Sequence, residues 1–181
     1  MNNETIIRQT RCWLENVVIA HGFCPFAAPP FTEDRIRYSV CNHTSLEQCM
    51  TQVANECIML DNNDDIETTL VIFSQAFGSF DSYLDAVELA QQLLQQQGYD
   101  GIYQLASFHP QYCFADTAPD DAANYTNRSP WPMLHLLREA SVAHAVQHTP
   151  HPEAIPQHNI DTARRLGAEH LRALLEHCLN Q

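Results

Sequence analysis

Apolar positions change their spacing several times along the chain, and each change marks an element. Ile6, Thr10, Trp13, Leu14, Val17 and His21 share one stripe, with Arg8, Arg11 and Glu15 opposite. That spacing predicts an amphipathic helix over residues 4–21, stopped by Gly22. Residues 35–41 (RIRYSVC) alternate Ile36, Tyr38 and Val40 with Arg35, Arg37 and Ser39, the pattern of a half-buried strand. Ser45 with Gln48 reads as a capping box for a helix to about Leu60, and the β-branched run TTLVIF (68–73) reads as a central strand. Tyr83, Ala86, Val87, Ala90, Leu93 and Leu94 predict a helix from Ser82 to about Gln97, closed by Gly98, and IYQLASF (102–108) predicts a third strand. Met133, Leu136, Leu137, Ala140 and Ala143 then read as the buried side of a helix opened by Ser129 and Pro130 and running to about Gln147. The proline-broken stretch HTPHPEAIPQH precedes a last helix, Asn159 to Leu179. Strands separated by helices predict an α/β fold: a small, mainly parallel, three- to four-stranded sheet flanked by about five helices, in one domain over residues 1–181.

The segment Ser107–Pro130 interrupts this alternation. It is longer than the roughly 12 to 15 residues that compact domains normally leave irregular, and it contains Phe108, Tyr112, Phe114 and Tyr125, which argue for order. The expectation is a site-forming loop. His109 leaves the third strand where ligands settle in open α/β sheets, and it reads either as an acid or base or as a ring that satisfies loop carbonyls. Asn124, Asn127 and Arg128 arrive just before the predicted helix and suit an anion, Arg37 being a further cation for it; equally, Asn127 caps the helix and Arg128 pairs with Asp120 or Asp121. On a helix His135 and Glu139 share a face, a spacing that fits one edge of a divalent-metal site or a solvated polar face. Cys24, between Phe23 and Pro25, is either a small buried hydrophobe or a thiolate nucleophile working with His109. His144, His148, His151 and His158 surround the proline-rich connection and read as adventitious transition-metal binders rather than a fixed site, and Asp64, Asp65 and Glu67 read as a turn.

Composition narrows the classes. Nine basic residues against 22 acidic ones give a net charge of −13, which disfavours nucleic acid and anionic membrane surfaces as partners. Seven cysteines without paired spacing read as free thiols. With no apolar run of membrane-spanning length and no secretory leader pattern, the expected location is the cytosol. No glycine-rich dinucleotide fingerprint follows any predicted strand, so no nucleotide cofactor is implied.

The motifs CPFA, RIRY, DIETTL, SFHP, TAPDD, NYTNRSP and PMLHLLREAS together resemble the bacterial domain-of-unknown-function family 1415 over essentially the whole chain. The resemblance implies a single-domain bacterial protein and carries no reaction. Cys24, His109, Asn124, Asn127, Arg128, His135 and Glu139 match the family pattern, whereas His21 and Asp116 depart from it. The functional expectation is a small-molecule enzyme that hydrolyses or transfers a group on an anionic metabolite. His109, Glu139 and Cys24 are its catalytic candidates, and Arg128, Asn127, Asn124 and Arg37 its anion-binding ones. The alternatives are a non-catalytic metabolite- or protein-binding module and a metal-binding protein using His135 and Glu139.

Overall fold

The computed structural model describes residues 2–181. Its strands β1 (Ile36–Cys41), β2 (Thr68–Phe73), β3 (Tyr103–Phe108) and β4 (Met133–Arg138) form one sheet in the order β1-β2-β4-β3. β1 and β2 are parallel, while β4 runs antiparallel to both β2 and β3. The sheet is therefore mixed rather than mainly parallel. The difference lies in residues 133–138, which the periodicity predicts as helix and which are extended. MLHLLR is apolar at both odd and even positions, so a strand covered on both faces satisfies it as well as a helix does. As β4 it also supplies the ladder partner that the facing edges of β2 and β3 need.

Seven α-helices surround the sheet among the described residues, not five. They are α1 (Asn3–Trp13), α2 (Ala28–Thr32), α3 (Leu46–Asp61), α4 (Phe80–Gln96), α5 (Glu139–Gln147), α6 (Ile155–Leu166) and α7 (Ala168–Leu179). The proline turn after the first helix coils into α2, and the expected last helix is cut in two at Gly167, whose φ of +84° is one that other residues resist. Ser45 caps α3 as its sequence indicates, accepting from Gln48 N–H at 3.2 Å. α1 runs on as a π-helical turn, Leu14–Ile19, in which Ala20 N–H bonds Glu15 C=O at 3.0 Å. No helix among the described residues is long and apolar enough to cross a membrane.

Side chains alternate across the sheet into two cores. Val71, Phe73, Leu134 and Leu136 point into a core closed by α3 and α4; Leu70, Ile72 and Met133 point the other way, beneath α1, α6 and α7. The second face is covered only in part. Its row Val40, Ile72, Met133, Phe108 lies beneath α1, with Trp13 edge-on to Phe108 at 5.2 Å. The two neighbouring rows, Tyr38, Leu70, His135, Ala106 and Ile36, Thr68, Leu137, Gln104, supply the floor of a cleft.

Candidate functional site

A cleft of about 790 Å³ opens on those two rows. Its floor is Leu70, His135, Ala106, Leu137, Thr68 and Gln104; one wall is Trp13, Leu14 and Val18 of the first helix and its π-turn. A second wall runs from Cys24 to Pro30, and α5 roofs it through Ala140, Ser141, Val142 and Ala145. A volume of several hundred cubic ångströms lined mainly by apolar groups is the form of a small-molecule site. The cleft lies at the amino ends of β1, β2 and β3, not at the strand carboxyl ends expected of an all-parallel sheet. The antiparallel β4 accounts for this, because it delivers α5 directly over that end.

His135 is the polar group at the centre of the floor. Thr68 Oγ1 donates to the Leu136 carbonyl at 2.5 Å, which uses the hydroxyl's one proton. The 2.7 Å contact between Thr68 Oγ1 and His135 Nε2 therefore has the imidazole as donor, which fixes the proton on Nε2 and leaves Nδ1 with a bare lone pair. Removal from bulk water pushes His135 down to about 4, so the ring is neutral at physiological pH. Cys24 is the thiol of the wall. Burial pushes its thiol up, and the neighbouring backbone of Phe26 and Ala27 holds it partly down; the Ala27 N–H itself donates to the Cys24 carbonyl at 3.3 Å.

The cations at the mouth are already engaged. Arg35 pairs with Glu67 at 3.1 Å and donates to the Asp64 and Asp65 carbonyls. Arg138 donates to the carbonyls of Leu60, Asn63 and Ile66 at 2.7, 3.2 and 3.1 Å. Those carbonyls belong to the end of α3 and the turn beyond it, groups that a helix terminus leaves without internal partners.

The loop from Ser107 to Pro130 is ordered, and its polar groups hold it in place. His109 is fully buried: its Nε2–H donates to the Phe77 carbonyl at 3.0 Å and its Nδ1 accepts from Gln111 N–H at 3.0 Å. Burial pushes its pKa down, offset in part by the Phe77 carbonyl. Asn124 Oδ1 accepts from Phe114 N–H and Thr117 Oγ1 while Nδ2 donates to Ala118 C=O, and Asn127 Nδ2 donates to Ser107 C=O. Arg128 donates to the Tyr112 and Pro119 carbonyls at 3.0 and 2.8 Å and stacks over Tyr125, rather than pairing with Asp120 or Asp121; Asp121 is held by Arg164.

Of the residues singled out from sequence, Cys24, His135 and His144 reach the cleft, His109, Asn124, Asn127 and Arg128 stay together within the loop, where Asn127 C=O accepts from His109 N–H at 3.2 Å, and Arg37 and Glu139 lie elsewhere. Arg37 lies on the opposite sheet face, forked onto Glu56 at 2.6 and 3.2 Å. His135 sits within a strand and Glu139 begins α5, so the shared helical face that would have joined them does not form. Among the described residues no three His, Cys, Asp or Glu side chains gather as a metal site. Sequence reasoning passed over Thr68, Gln104 and the Trp13 wall, because the alternation that puts them on one face with His135 is visible only once 133–138 is read as a strand.

The family described as "Protein of unknown function (DUF1415)" matches residues 5–173. No curated protein and no solved structure matches the chain.

Proposed function

The chain belongs to that family, and from the cleft we propose that it binds a small, uncharged, mainly apolar molecule that presents a hydrogen-bond donor to His135. One observation carries this reading: an imidazole whose Nε2 proton is held by Thr68 and whose Nδ1 lone pair is left free in a mainly apolar cleft. A free imidazole acceptor in a mainly apolar cleft lets a ligand hydroxyl, phenol or amide N–H gain a hydrogen bond there, whereas a carboxylate, which brings only acceptors, does not. The anionic metabolite expected from sequence is disfavoured, since Arg35, Arg128 and Arg138 are each satisfied by carbonyls or carboxylates of the protein.

The test is a thermal-shift series over apolar alcohols and phenols, each matched with the carboxylate of the same skeleton. Alcohols and phenols are expected to raise the melting temperature, quench Trp13 fluorescence and lose their advantage in His135→Phe. Equal shifts from the matched carboxylates, or a His135→Phe protein that keeps the preference, would overturn the reading.

A second reading, group transfer through Cys24, rests on its place in the same cleft as the His135 imidazole. Because burial is the larger influence, the sulfur carries its proton at rest and needs a base to give it up. Incubation with acyl esters of the alcohols that bind is then expected to leave an acyl group on Cys24 by mass spectrometry. Absence of that adduct removes the second reading and leaves the first standing.

A further inference from the structure

Two thiols far apart in sequence meet on the side of α1 that faces α7. Cys12 of α1 and Cys178 of α7 bring their Sγ atoms to 2.8 Å across 166 residues of chain. A disulfide is about 2.05 Å long, so closing the bond takes a movement of less than about 1 Å. The pair is unequal in access. Cys178 is fully buried, whereas Cys12 is half-buried and lines a surface groove with Arg8, Arg11, Glu15 and His177.

We propose that Cys12 and Cys178 form a reversible oxidation site, closed by a low-molecular-weight disulfide of the glutathione type that enters through the groove. Cys12, as thiolate, attacks one sulfur of the external disulfide, expels one thiolate and carries a mixed disulfide. Cys178 then attacks Cys12 Sγ and expels the second thiolate, its own proton passing out through the groove. Two protein thiols lose two electrons and two protons, and the external disulfide becomes two thiols. The order follows from access: the groove reaches Cys12, while burial pushes the Cys178 thiol up and suits it to the resolving step.

A second pair serves as an internal comparison. Cys41 and Cys49 are 3.6 Å apart, but both are fully buried in the core against α3, where no oxidant reaches them. The proposed bond would tie the first helix, whose Trp13 and Leu14 line the cleft, to the last. It does not rest on the ligand reading.

The experiment treats the full chain with excess oxidised glutathione, alkylates it after denaturation and maps its peptides. Of the seven cysteines, two are expected to be lost to alkylation, recovered as one Cys12–Cys178 cross-link that dithiothreitol reverses. The melting temperature of the oxidised chain is expected to rise on the order of 10 °C, because the bond closes most of the chain into a loop. Cys178→Ser is expected to stop at a glutathione adduct on Cys12. Retention of every thiol in the wild type would overturn the proposal, and so would a persistent adduct on Cys12 or a Cys41–Cys49 bond formed as fast. Should Cys178→Ser fail to fold, the wild-type peptide map decides alone.

Discussion

Two histidines illustrate how a ring's neighbours decide its role. His109 has both nitrogens engaged, by Phe77 C=O and Gln111 N–H, and so serves the loop; His135 has one engaged and one open to the cleft. The sequence singles out both, and their Nε2 partners stand 32 and 67 positions away; what separates them is Nδ1, which in His109 accepts from Gln111 N–H two positions on. The depressed pKa of His135 has a stability consequence. Its ordinary value is 6.5 and its folded value about 4, so the unfolded chain takes the proton first as pH falls. The neutral ring's contribution is complete above 6.5 and declines as pH drops toward 4. Urea unfolding at pH 7 and pH 4.5 is expected to show wild type losing about 2 to 3 kcal/mol more than His135→Gln over that interval. Equal losses in the two proteins would mean that His135 titrates normally.

At the level of elements, three of the four strands and most helix positions follow from periodicity, and the exception is instructive. Residues 133–138 carry a helical stripe and a two-sided strand pattern at once, and pairing with β2 and β3 selects the strand. The two readings differ at Leu134, which lies off the predicted helical stripe but is fully buried against α3 and α4. Leu134→Ala is therefore expected to cost about 2 to 5 kcal/mol in chemical denaturation. A cost below about 0.5 kcal/mol, the range of a surface change, would contradict the strand. The long loop was legible as ordered from its aromatics. Its use of His109, Asn124 and Arg128 on its own backbone was not, because each partner is a carbonyl or amide that sequence leaves anonymous. α5 is a different case: no residue in it is buried, yet it roofs the cleft, so under the proposed function a ligand would complete its contacts. Amide exchange in residues 143–147 is expected to be fast in the free protein and to slow on the order of tenfold once an apolar alcohol fills the cleft. Unchanged exchange under saturation would remove α5 from the binding site.

For the molecule as a whole, charge and architecture meet in one choice: all nine basic residues are arginine. With a net charge of −13, lysines would have balanced the acids equally well, so the selection reflects geometry. Arg35 and Arg138 gather backbone carbonyls from segments distant in sequence, Arg128 gathers them within its own loop, and Arg37 and Arg164 fork onto Glu56 and Asp121. A planar guanidinium can serve two or three fixed acceptors at once, whereas an ammonium on a flexible stem holds them less well. This use of cations also hid the site, because scarce arginines among polar residues looked like an anion clamp until their carbonyl partners were in view. Arg138 makes the sharpest test, since one guanidinium nitrogen serves the carbonyls of Leu60, Asn63 and Ile66 together. Arg138→Lys keeps the charge and loses the fork, and is expected to destabilise the fold by about 1 to 3 kcal/mol in urea. Arg172→Lys, at an exposed position, is expected to stay within about 0.5 kcal/mol. If charge alone mattered, both substitutions would be silent. A large loss confined to Arg138 that added salt does not restore identifies carbonyl capture as the reason this acidic chain keeps arginine.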